Sequence, residues 1–177
     1  MDKSSKKDQE KKKVPPTKTY TVPFDLEEIK ENITSNTLSQ SSKEHIINQA
    51  FKYHSEGNLV EAAKYYQHFI NEGYSDFRVF SNYGVTLKDL GKSQKAELYV
   101  RKAINLNPDY SEAHYNLGII LKDLGKLEEA ELSAHKAIDI NPNFSEAHYS
   151  LGIILKDLGK LQKAELYIRK AIDLNPD

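Results

Sequence analysis

Cysteine is absent from this 177-residue chain, which excludes a disulfide framework and any thiolate metal site and is compatible with a reducing compartment. Long apolar runs are missing too. The longest, Leu117 to Leu121 with Gly118 inside it, is five residues, against the roughly 18 needed to span a bilayer. The N-terminus lacks the apolar stretch of a secretory signal. Neither sign of charge dominates. Lys plus Arg is 25 and Asp plus Glu is 26, so the broad basic face of a general nucleic-acid binder is not there. No G-x-S-x-G elbow, phosphate loop or dinucleotide fingerprint occurs. Carboxylates such as Glu128 and Glu129 have no apolar surroundings to tune them for acid–base work. His114 and His148 lack carboxylate or thiolate partners and read as packing residues, not metal ligands. The expectation is a soluble cytoplasmic protein with no catalytic residue, metal or cofactor, no membrane segment and no specific nucleic-acid partner.

What the chain does contain is a period. Gly57, Gly91, Gly125 and Gly159 stand 34 residues apart, and each interval holds two helical stretches, the signature of a helix–turn–helix solenoid. Each unit carries an apolar face that only a neighbouring unit can cover. The predicted fold class is therefore all-α, a solenoid of paired helices, with repeats at 43–76, 77–110, 111–144 and 145–177. In the third copy a first helix of about 13 residues presents Tyr115, Leu117, Ile120, Leu121 and Leu124. Gly125 ends it through a left-handed backbone. A second helix then buries Ala130, Leu132, Ala134, Ala137, Ile138 and Ile140. Pro108, Pro142 and Pro176 sit just past the second helices and help stop them.

The N-terminal quarter is different. Residues 1–19 carry seven lysines against three acids and almost nothing apolar, and they read as a disordered Lys-rich tail. In 20–42, Asp25 with Glu28 suggests a capping box, and Leu26, Ile29 and Ile33 share one helical face. A short amphipathic helix over 26–33 is expected, then a Ser/Thr/Asn-rich linker. Ser41 with Glu44 makes a second capping box, opening the first repeat.

From Lys43 to Asp177 the chain resembles the tetratricopeptide repeat (TPR) family. Repeat three supplies Leu117, Gly118, Leu121, Ala130, Ala137 and Pro142 at the family's offsets, and repeat four supplies Leu151, Gly152, Leu155, Ala164, Ala171 and Pro176. Repeat two matches through Gly84, Leu87, Ala96, Ala103 and Pro108. His114 and His148 take the place of the family's tryptophan, and Val100, Ala134 and Ile168 that of its second aromatic. Repeat one departs most, with Ala50, Phe69 and Tyr74 at family Gly, Ala and Pro positions, as suits an end unit. Repeats three and four agree at 25 of 33 aligned positions, which points to recent duplication.

The resemblance implies a right-handed α-solenoid whose first helices line a concave face and bind a protein or peptide. Asn48, Asn82, Asn116 and Ser150 fall in phase on that face. An amide offers both a donor and an acceptor to an extended backbone, and the row is similar to the asparagine ladder preceding O-linked N-acetylglucosamine transferases. Phe51, Val85, Ile119 and Ile153 lie one turn along. These eight residues are the candidate peptide-binding site. Chaperone-binding members clamp a carboxylate with lysines and asparagines. Ile47, Phe51, Asn82, Glu112 and Asn116 hold those places here, and Glu112 would repel it. The leading expectation is a peptide-binding scaffold. One alternative is the substrate-recruiting part of a glycosyltransferase-like enzyme. Another is a self-assembling structural protein, associating through the last repeat, where Leu166, Ile168, Ile172 and Leu174 have no following helix.

Overall fold

A computed structural model describes residues 42–176. The expected tail, the 26–33 helix and both capping boxes lie wholly or partly outside that range. Among the described residues, eight helices and no strands are found. They are α1 (42–55), α2 (Leu59–Asn71), α3 (Phe77–Asp89), α4 (Ser93–Leu106), α5 (Ser111–Asp123), α6 (Leu127–Ile140), α7 (Ser145–Asp157) and α8 (Leu161–Leu174). Consecutive helices pair into four hairpins, and the hairpins stack as a right-handed α-solenoid.

The turn inside each hairpin follows from its glycine. Gly125 has φ +74°, where a Cβ would crowd the following carbonyl. Its N–H donates to the Lys122 carbonyl (2.9 Å) and the Lys126 N–H to that of Leu121 (2.9 Å). Two carbonyls orphaned by the end of α5 are thereby satisfied. The same pair of bonds recurs at the other three periodic glycines. Where repeat one lacks a proline, Gly73 (φ +77°) ends α2 by this device instead. The other second helices stop at Asn107, Asn141 and Asn175, which are extended, as a following proline demands.

Small residues set the spacing within each hairpin. Ala96, Ala130 and Ala164 on the second helices are buried against Gly84, Gly118 and Gly152 on the first. A Cβ built on Gly118 would already lie 3.4 Å from the Ala130 carbonyl. The buried stripe of α6 is Ala130, Ala134 and Ala137. Leu132 does not belong to it and is 72% exposed. Two residues turn the helix by about 200°, which places Leu132 opposite Ala130.

Polar contacts tie one repeat to the next. Glu97 on α4 accepts from Lys126 at 2.8 Å, and Glu131 on α6 accepts from Lys160 at 2.5 Å. The Lys126 hydrogen bond lowers the Glu97 carboxyl from its usual range, against burial and with help from Arg101. His54 Nδ1 lies 3.2 Å from the Tyr66 hydroxyl and 3.1 Å from Thr86 Oγ1, joining α1, α2 and α3. Burial lowers the His54 pKa, with Asp89 opposing.

Candidate functional site

First helices of successive repeats touch, α3 against α5 and α5 against α7. Among the described residues, second helices make no comparable contact with one another. The first helices therefore form the crowded inner side of the stack, and the second helices its splayed outer side.

On the inner side a cleft of about 440 Å³ opens between α5, α7 and α8. Ile119, Ser150 and Ile153, three of the eight residues expected from sequence, line it together. Tyr115, Tyr149 and Ile172 complete its apolar wall, with Lys122 and Glu146 of opposite charge at its edge. Tyr149 is 54% and Ile172 57% exposed. Tyr115 is braced by the Phe144 ring, 5.0 Å away. Burial raises the Tyr115 pKa, then the nearby Glu146, with Lys88 opposing, so its hydroxyl stays a neutral hydrogen-bonding group.

The remaining expected residues are spread along the same side. Asn48 on α1 is exposed, whereas Phe51 is half-buried and its ring packs 6.2 Å from Tyr66. Asn82 and Val85 on α3 are half-buried. Burial pushes the Tyr66 hydroxyl far up, with Asn82 opposing. Asn116 donates from Nδ2 to Ser81 Oγ at 3.1 Å. This bond fixes the amide and leaves its oxygen for other partners. Ser150 is buried. Sequence reasoning missed Tyr149 and Glu146 as site residues. The signal was present, since Tyr115 and Tyr149 each precede a cleft isoleucine by four residues, one helical turn.

His148 is buried, stacks on Tyr167 at 5.9 Å and donates from Nε2 to the Pro142 carbonyl. His114 makes the matching bond to Pro108 at 2.9 Å. Both hold helix starts in place. Among the described residues no group of three or more His, Asp or Glu could hold a metal ion, and no helix is long and apolar enough to cross a membrane.

Paired helices of this length, glycine turns and Gly–Ala contacts at a 34-residue period define a tetratricopeptide array, a fold that typically serves as a non-catalytic interaction module. The family profile of the middle TPR-like domain of cilia and flagella-associated protein 70 matches residues 48–165, and the chain belongs to that family. Similar solved structures include YrrB, described as a TPR protein with an unusual peptide-binding site. It is 25% identical, with a TM-score of 0.68 over 80% of this chain and 73% of that one. A MamA structure is 21% identical, with a TM-score of 0.70 over 86% of this chain and 96% of its own. MamA from Desulfovibrio magneticus RS-1 is 24% identical, with a TM-score of 0.67 over 76% of each chain. The MamA likenesses concern the fold alone. No curated protein matches the sequence significantly.

Proposed function

We propose that the array binds an extended peptide segment of a partner protein along its inner side, with the α5–α7–α8 cleft as the main anchor. The observation that carries this reading is the apolar wall of Tyr115, Ile119, Tyr149, Ile153 and Ile172, with Tyr149 and Ile172 exposed and the other three half-buried, edged by Lys122 and Glu146. An apolar side chain of the peptide enters the cleft, and the two charges select what flanks it. The fixed Asn116 amide, with Asn82 and Asn48 in phase, pairs with the peptide backbone. Solvent-facing rings and isoleucines gathered in one concave patch are the usual mark of recognition, and YrrB supports the reading by likeness.

The test begins with a peptide selected by display against the chain. Its affinity is then measured by fluorescence anisotropy for Ile119→Asp, Ile153→Asp and Asn116→Ala, each checked for helicity. The aspartates should weaken binding at least tenfold and Asn116→Ala several-fold. Unchanged affinity in both aspartate variants would remove the inner side as the binding surface.

A further inference from the structure

We infer that a second cleft, on the outer side of repeat three, is a receptor for one aromatic side chain, tyrosine or phenylalanine, presented by a partner protein next to an acidic residue. The cleft measures about 370 Å³ and lies between α4 and α6 over α5. Its lining includes Arg101, His114, Leu117, Leu132, Ser133 and Lys136.

The other repeats show what belongs there. Ser133 stands where Tyr65, Tyr99 and Tyr167 stand in repeats one, two and four. In repeat four the Tyr167 ring stacks on His148 at 5.9 Å, with the His135 ring edge-on at 5.6 Å. In repeat two the Tyr99 ring stacks on Phe80 at 6.2 Å, and Lys102 Nζ lies 5.0 Å from its centroid. Repeat three keeps the counterparts of those partners. His114 corresponds to His148 and Phe80, Arg101 to His135, and Lys136 to Lys102. Only the ring is missing. The next residue shrinks too, Ala134 replacing Val100 and Ile168. Repeats three and four differ at eight aligned positions, and three of these are consecutive, Ser133-Ala134-His135 against Tyr167-Ile168-Arg169. The change is local to this spot.

The walls state the ligand's chemistry. His114 is half-buried, and its ring is fixed by the bond to Pro108. It offers a stacking surface to a ring of the size the siblings hold. Arg101 is anchored by Glu97 and Glu129 at 2.9 and 2.8 Å, so its guanidinium is positioned for an aromatic face. Lys136 is exposed and forms no ion pair or hydrogen bond among the described residues. It can lie over the incoming ring, as Lys102 does over Tyr99, or pair with a carboxylate beside it. Leu132, exposed on the rim, covers the ring's other edge. The socket is walled by the His114 ring and the basic side chains of Arg101 and Lys136, and shares no lining residue with the inner-side cleft.

The test uses N-acetyl-L-tyrosinamide titrated into the full chain, read by NMR at the His114 ring and the Leu117 and Leu132 methyls. Saturable shifts at these groups are expected, with a dissociation constant on the order of millimolar for so small a ligand. N-acetyl-L-leucinamide should bind at least tenfold more weakly. Ser133→Tyr should fold, fill its own cleft and abolish the response. Ile119→Asp, on the other side of the array, should leave it unchanged, which separates this proposal from the inner-side one. Lys136→Glu should weaken an N-acetyl-Tyr-Glu amide several-fold more than the simple tyrosinamide. Absence of saturable shifts, equal binding of the leucine amide, or a response surviving in Ser133→Tyr would overturn the proposal. A Ser133→Tyr chain too strained to fold would overturn it as well, because the cleft would then not hold a ring.

Discussion

Three glycines at equivalent positions should respond differently to the same substitution. Gly84, Gly118 and Gly152 each face the second helix of their own hairpin. A Cβ on Gly118 would meet the Ala130 carbonyl at 3.4 Å and the Ala134 methyl at 3.7 Å, both near ordinary contact. A Cβ on Gly152 would lie 2.5 Å from Ile168 Cγ1 and 3.1 Å from the Ala164 carbonyl. At Gly84 the obstacles are Val100 Cγ2, well inside contact distance, and the Ala96 carbonyl at 3.1 Å. Neither Val100 nor Ile168 can yield easily, because the crowded atom is held on a branched Cβ. All three changes to alanine share the same gain in helix propensity, roughly 0.5–1 kcal/mol, so that gain cancels in the comparison. What remains is overpacking, about 1–3 kcal/mol. Gly118→Ala should therefore be neutral or slightly stabilising, and Gly84→Ala and Gly152→Ala about 1–3 kcal/mol worse than it.

Urea unfolding followed by far-ultraviolet circular dichroism reads these differences directly. A double-mutant cycle identifies the cause. Ile168→Ala combined with Gly152→Ala should recover most of the loss, with a coupling energy of about 1–3 kcal/mol. If Gly118→Ala destabilises as much as Gly152→Ala, or if the cycle shows no coupling, the close-approach reasoning fails.

Other consequences are simpler to state. His54 has a lowered pKa in the folded chain, so between that value and 6.5 the unfolded chain binds more protons. Stability should thus be full above pH 6.5 and decline as pH falls through it, and His54→Gln should flatten that decline in thermal melts across the range. Gly125→Ala should cost about 1 kcal/mol in denaturation. Its Cβ would meet nothing within 4 Å, so the whole cost is the left-handed backbone, and Gly125→Asn should cost less. Glu97→Gln leaves Lys126 and Arg101 without their shared carboxylate and should lower stability by up to about 1 kcal/mol, an effect that shrinks in high salt if the pairs are the cause.

Local chemistry explains what was legible in the sequence. Glycine period and proline stops act within a few residues of themselves and the Gly–Ala pairs within one hairpin, and the helices fall where those signals place them. Leu132 was assigned to the core on its greasiness, but angle around the helix decides burial and sends it outward. The His54–Thr86 contact and the Asn116–Ser81 bond join residues about one repeat apart. Neither partner carries a mark of the other in the sequence, so only the stacked geometry shows them. The inner cleft was half legible for a related reason. Ile119, Ser150 and Ile153 follow from the phase of the first helix, whereas the Ile172 wall comes from α8 and depends on how hairpins pack.

The near-identity of repeats three and four makes each copy a control for the other. Positions that serve stacking alone should stay alike or change as matched pairs, since a packed interface punishes a one-sided change in volume. The Gly118–Ala134 and Gly152–Ile168 contacts fit that rule only partly. Ile168 fills space beside its glycine that Ala134 leaves open. Ser133, where the other three repeats hold tyrosine, opens more of it. Two adjacent losses of volume without repacking are costly for a chain that needs only to fold. They are reasonable where the space is filled in the bound state. On that logic, the outer cleft of repeat three departs from its siblings because its missing ring arrives on another molecule.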